Sequence, residues 1–114
     1  MSELLRIPLR VVFYREDGEW LAHCLEFDLL GTGSTKEDAI EQLGEAVSLQ
    51  IAASVEHNNP ANLFRPADGR FHRMFAAGRD VAVGEFVLPG IHAENVQIES
   101  AEFREYVTAG PVCV

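Results

Sequence analysis

The chain has 114 residues, 47% of them hydrophobic and 24% charged, with a formal net charge of −9. That is ordinary globular composition, enough to bury roughly two-thirds of the unfolded surface in one core but too little for two, so residues 1–114 are expected to form a single domain. No apolar run approaches a membrane span, and the acidity disfavours general nucleic-acid binding and suits a basic partner.

The N-terminus, Met1-Ser2-Glu3-Leu4-Leu5-Arg6, lacks an apolar stretch followed by a small-residue cleavage site, so a cytoplasmic location is expected. Under that expectation Cys24 and Cys113 are free thiols rather than a disulfide.

Ile7, Leu9, Val11 and Phe13 alternate with Arg6, Pro8 and Arg10, which predicts a half-buried strand. Pro8 cannot donate to a ladder, so the start of that strand is expected at an edge or beyond the pairing. Asp17-Gly18 between Glu16 and Glu19 predicts a two-residue hairpin. Pairing Glu16 with Glu19 sets Phe13 opposite Ala22 and Val11 opposite Cys24 on the core face. On the other face Tyr14 meets Leu21, Val12 meets His23 and Arg10 meets Leu25. This second face is half apolar, and a cover is expected from the C-terminal segment or from another chain.

A third strand is predicted over 28–32, ending at Gly31 and Gly33. Ser34-Thr35-Lys36-Glu37 then reads as a capping box, with Ser34 accepting from the amide of Glu37. Ala39, Ile40, Leu43, Ala46, Val47, Gln50, Ile51 and Val55 follow as one apolar helical stripe, with Glu37, Asp38, Glu41, Gln42, Glu45 and Ser48 on the outer face. Gly44 inside the helix suggests close packing, and His57-Asn58-Asn59-Pro60 stops it.

A loop is predicted over 58–69. Phe71, Met74 and Phe75 mark a short helix over 70–77, capped by Gly78. Strands are predicted over 81–88 and 95–103, although 100–107 reads nearly as well as a helix.

No catalytic or metal set is recognisable. His23 and Cys24 are adjacent and so point to opposite faces of a strand, while His57, His72 and His92 are scattered, and Cys24 is expected to face the core as an inert thiol. Gly31-Thr32-Gly33-Ser34-Thr35 lacks the lysine of a phosphate-binding loop and is followed by acids, so it reads as a turn plus a cap. No enzyme activity, cofactor or metal is expected.

Charge is unevenly spread. Residues 16–56 hold ten acids and one base, Lys36, whereas Arg65, Arg70, Arg73 and Arg79 share their segment with one acid, Asp68. Either the later segment docks on the acidic half, or the protein carries two surfaces of opposite sign.

Asp17-Gly18-Glu19-Trp20-Leu21-Ala22, then Gly31, then Gly33-Ser34-Thr35-Lys36-Glu37-Asp38-Ala39, and Leu43 through Ala46-Val47 resemble the HicB family of antitoxins. The resemblance spans residues 6–56. It implies an α+β fold of the partial ribonuclease-H type, in which a small antiparallel sheet of hairpin plus third strand packs on one long helix. The 58–114 extension adds a short helix and C-terminal strands. The motif departs from the family at Leu25-Glu26-Phe27-Asp28-Leu29-Leu30, where a proline-acid-leucine step is usual. Residues 81–114 show no ribbon-helix-helix or helix-turn-helix pattern, so a C-terminal DNA-binding domain is not expected, as in a shortened or solitary relative.

By the same resemblance the partner is a small basic RNA-cleaving toxin of the HicA type, and the protein forms a homo-oligomer. The interface is expected at Tyr14, Leu21, His23 and Leu25, rimmed by Glu26 and Asp28. Aspartates at Leu21 and His23 should then leave a folded protein that no longer associates. The alternatives are an orphan self-associating scaffold, and nucleic-acid recognition through residues 65–79.

Overall fold

The computed structural model describes residues 5–56, 65–83 and 96–107. They form an α+β unit with a five-stranded sheet and two helices. In chain order the elements are β1 (Leu5–Glu16), β2 (Glu19–Cys24), β3 (Leu29–Gly33), α1 (Lys36–Glu56), α2 (Gly69–Ala77), β4 (Arg79–Asp80) and β5 (Val96–Glu105). The helix stop at His57, most of the 58–69 loop, residues 84–88 and 95 of the expected strands, His92 and Cys113 lie outside the described residues.

The β1–β2 hairpin follows the expected register, from Val11 opposite Cys24 to Glu16 opposite Glu19. Asp17 at φ 53° and Gly18 at φ 82° occupy the two left-handed positions of the turn, as a twist-matched two-residue connection requires. β3 then pairs antiparallel with β2.

The sheet is larger than the expected antiparallel three strands, and it is mixed. Its order is β3-β2-β1-β5-β4. β5 lies parallel to β1, from Leu5 opposite Val96 to Phe13 opposite Glu105, with a register shift between Ile7 and Pro8. Pro8 therefore sits at an irregularity, in the part of β1 that precedes its pairing with β2. β5 also settles residues 100–105 as strand, overturning their helical alternative. The deciding force is the open edge of β1, a non-local partner that outweighs local propensity. Of the strand expected over 81–88 only residues 81–83 are described, and they are not in a strand: β4 is the two residues before them, paired to Arg104 and Glu105, and the Val81 amide continues the contact by donating to the Phe103 carbonyl at 3.1 Å.

α1 covers one face of the sheet. Ile7, Leu9, Val11, Phe13, Ala22 and Cys24 from the strands pack with Ala39, Ile40, Leu43, Val47 and Ile51 from the helix. Complete burial of a Leu, Ile or Val contributes about 1.5–3 kcal/mol each, so this seam dominates the stability. Two glycines set its depth. A Cβ on Gly31 would stand 2.2 Å from the Ala39 carbonyl oxygen, and one on Gly33 would stand 2.5 Å from the Asp38 Cβ.

The N-cap falls one residue later than expected. Thr35 Oγ1 accepts from the Asp38 amide at 3.0 Å, and the Ser34 hydroxyl instead donates to the Asp38 carboxylate at 3.2 Å. Ser48, expected on the outer face, is buried, and neither its hydroxyl nor that of Ser54 has a hydrogen-bond partner among the described residues.

α2 covers the opposite face. Asp68 caps it, its side chain accepting from the Arg70 amide at 2.9 Å, and Phe71, Met74 and Phe75 pack onto Val12, Tyr14, Leu21 and Leu25. Gly78 ends the helix in extended rather than left-handed geometry, at φ −77°, ψ 170°. From there the chain runs straight into β4.

Candidate functional site

The second sheet face is closed from within the chain. The 65–67 segment clips onto the end of β2 through the Arg65 amide to the Glu26 carbonyl at 3.0 Å and the Ala67 amide to the Leu25 carbonyl at 2.9 Å. α2 follows directly. Beneath them Tyr14, Leu21, His23 and Leu25 are buried, so with α2 in place none of the four is accessible to a partner. Aspartate at Leu21 or His23 would put a carboxylate into this packed layer, a test of folding rather than of association.

Three of the six expected interface residues come together in one line. His23 Nε2 lies 2.7 Å from Asp28 Oδ1, and His23 Nδ1 lies 3.4 Å from the Tyr14 hydroxyl. Phe71 tilts over the imidazole at a centroid distance of 4.0 Å and stacks beside Tyr14 at 5.9 Å. A donor at Nε2 for the Asp28 carboxylate leaves Nδ1 of a neutral ring to accept from the tyrosine. Asp28 holds a left-handed φ of 53°, a conformation aspartate tolerates better than most residues. Burial, and after it the Glu16 charge, push the Tyr14 hydroxyl above its ordinary pKa, so it stays protonated at neutral pH. An Asp–His–Tyr line is the geometry of a proton relay. Here the Phe71 ring shields the imidazole, and the line ties the 25–28 turn to the hairpin.

Glu26 is engaged separately. Its two carboxylate oxygens accept from the Arg10 backbone amide and from Arg10 Nε, both at 2.7 Å. This caps β1 where its pairing with β2 ends. Asp28 alone of the six has an exposed side chain.

A second charged node sits at the start of α1. Glu105, buried on β5, accepts from Lys36 Nζ and from Arg79, the latter at 3.3 Å. The Lys36 hydrogen bond holds its carboxyl below the usual range, outweighing the opposing effect of burial. Lys36 Nζ also lies 5.0 Å from the Trp20 ring centroid. Three elements, α1, β4 and β5, meet on this one carboxylate.

With Lys36 and Arg79 committed to Glu105, Arg10 to Glu26 and Arg104 to Asp80, the basic side chains do not neutralise α1. Glu37, Asp38, Glu41 and Glu45 are exposed, and none of them forms an ion pair among the described residues. Leu49, one turn beyond Glu45, is 73% exposed. Arg65, Arg70 and Arg73 belong to the segment covering the opposite face, so surfaces of opposite sign flank the sheet. Leu49 falls four residues after Glu45 and outside the expected apolar stripe, so helical spacing itself places it beside the acids.

The glycine-rich loop before α1 spends its polar groups internally. The Thr32 amide and hydroxyl both donate to Gln42 Oε1, at 2.7 and 3.1 Å. Burial pushes the Cys24 thiol up to about 12, a protonated and unreactive state. Among the described residues no three or more His, Cys, Asp or Glu side chains are grouped to hold a metal ion, and no helix is long and apolar enough to cross a membrane.

Comparison of the chain with protein-family models, with curated proteins and with solved structures gave no match in any of the three.

Proposed function

We propose that the chain is a HicB-like protein-binding module, an antitoxin or a relative of one, that sequesters a small basic RNA-cleaving protein of the HicA type. The docking surface is the outer face of α1. The observation that carries this is the row Glu37, Asp38, Glu41 and Glu45, exposed and without ion pairs among the described residues, which runs into the exposed Leu49. Unpaired carboxylates on one helix face steer a basic partner, and an apolar side chain at the end of the row gives it something to bury. The motif shared by residues 6–56 and the long helix packed on a sheet support the family reading.

The second reading is a self-associating scaffold. It is favoured by β3, which lies at an end of the sheet order and carries Leu30 at 41% exposure. An open strand edge is a template for pairing with another copy.

Affinity capture from the native extract at moderate salt separates the two, using wild type alongside Glu41→Lys/Glu45→Lys and Leu49→Asp. A small basic protein retained by wild type and lost from both variants is the expected result. Equal capture by all three proteins rules out the α1 surface. Recovery of the chain alone, as an oligomer in light scattering, replaces the antitoxin reading with the scaffold.

A further inference from the structure

β3 stands at an end of the sheet order, and Leu30 on it is 41% exposed. In topology its outer edge is open. In hydrogen bonding it is not. Gln42 reaches across from α1, and its Oε1 accepts from the Thr32 amide at 2.7 Å and from the Thr32 hydroxyl at 3.1 Å. A glutamine side chain carries the same carbonyl group as a peptide, so Gln42 stands where the carbonyl of a neighbouring strand would. We propose that Gln42 is a latch that holds shut a strand-pairing edge on β3, and that the edge, once unlatched, pairs with a second copy of this chain.

The depth of α1 puts the latch in place. A Cβ on Gly31 would stand 2.5 Å from the Leu43 amide nitrogen, so the helix lies against β3 just where Gln42 leaves it. The edge is also self-complementary. In an antiparallel ladder alternate residues turn both backbone groups to the same side. Thr32 turns its amide to Gln42, and Leu30, two residues back, shares that orientation. Turned end for end about Gly31, a second β3 sets its Leu30 against Thr32 and its Thr32 against Leu30. Each pair then exchanges both of its hydrogen bonds, and the exposed Leu30 gains cover.

Charge reinforces the latch. Asp38, four residues before Gln42, and Glu45, three after it, share its flank of α1. Both are exposed and neither forms an ion pair among the described residues. Pairing about Gly31 keeps the two α1 helices on one face of the joined sheet and turns these flanks toward each other, so like charges oppose it until salt screens them. The latch needs no basic partner and stands independently of the antitoxin reading. It sets a condition on the scaffold reading: β3 joins copies only with Gln42 displaced.

Amide exchange by nuclear magnetic resonance, with light scattering on the same samples, tests the latch in the full chain. In wild type the Thr32 amide should be protected at least about tenfold, equally at micromolar and millimolar protein, and the protein should show no association through β3. Gln42→Ala should lose that protection at micromolar concentration, then dimerise at millimolar concentration with Thr32 protected again, more completely at high salt. Gln42→Glu keeps the accepting oxygen and should behave as wild type. Gln42→Ala/Leu30→Lys places a charge on the bare edge and should stay monomeric with Thr32 unprotected. Rapid exchange at Thr32 in wild type overturns the proposal without reference to any variant. So does Gln42→Ala that remains monomeric at millimolar concentration and high salt, or that dimerises with Thr32 still unprotected. Dimerisation of wild type or of Gln42→Glu as readily as Gln42→Ala removes the latch, and dimerisation of the double variant removes β3 as the edge.

Discussion

Gly31→Ala is the substitution that tests how deeply α1 sits in the sheet. The added methyl would lie 2.2 Å from the Ala39 carbonyl oxygen, 2.5 Å from the Leu43 amide nitrogen and 2.9 Å from the Leu43 Cβ. Comfortable heavy-atom separations are about 3.5 Å, so α1 must retreat from β3 by about 1 Å. Two of the three obstacles are backbone atoms inside a helix and cannot swing aside. A gap of that size forfeits about a quarter to a half of each contact along the seam. Overpacking typically costs about 1–3 kcal/mol, and the unyielding obstacle places this case at about 3 kcal/mol. With an m-value of about 1.5 kcal/mol/M, the midpoint of urea unfolding should fall by about 2 M. Gly69→Ala is the control in the same assay. Its nearest obstacle is the flexible end of Arg73 at 3.5 Å, and loss of unfolded-state freedom should stabilise it by about 0.4–1 kcal/mol. A Gly31→Ala midpoint within about 0.3 M of wild type, at unchanged m, would refute the close approach of helix and strand.

Glu105→Gln should cost about 1–2 kcal/mol at neutral pH, less than the about 3–5 kcal/mol of a fully buried pair because Lys36 and Arg79 keep contact with water. The folded-state pKa of Glu105 is depressed, so its contribution is complete above the unfolded value of about 4.3 and is lost as pH falls through the folded one. Wild type and variant should therefore converge in urea titrations at acid pH; a constant difference down to full protonation contradicts the Lys36 contact. Alkylation mapped at Cys24 by mass spectrometry should proceed only as fast as the protein opens, and a fast native-state reaction would contradict its burial. Ser48→Ala removes a buried hydroxyl without a partner among the described residues and should be neutral or stabilising by up to about 1 kcal/mol; a loss of that size would reveal a hydrogen bond. Leu21→Asp should abolish the cooperative unfolding transition, since the site lies under α2; a folded variant would show that α2 can leave the sheet.

The hairpin was readable to the residue because Asp17-Gly18 dictates both turn type and register. α1 was readable because its stripe is long. The cap was misplaced by one position since Ser34 and Thr35 are adjacent hydroxyls with equal local claims. α2 was legible as a helix from Phe71, Met74 and Phe75, yet nothing local says that it lies over Tyr14, Leu21, His23 and Leu25. That cover depends on chain distant in sequence, and so does the parallel pairing of β5. The excess apolarity of the second face did signal that something must cover it. The Asp28–His23–Tyr14 line is not legible as a line in the sequence, because the hairpin register places His23 diagonally from Tyr14 while the 25–28 turn brings Asp28 back to it.

The parallel pairing of β5 with β1 bears on how the protein is made. β1 stands between β2 and β5 in the finished sheet, yet its two neighbours are synthesised far apart: Glu19 follows it at once, while Leu5 waits for Val96. During translation the hairpin, β3 and α1 can assemble with one edge of β1 open and apolar. Such an edge is a template for another nascent chain, and long-range strand closure is slow. The interval before β5 docks is therefore the period of greatest aggregation risk.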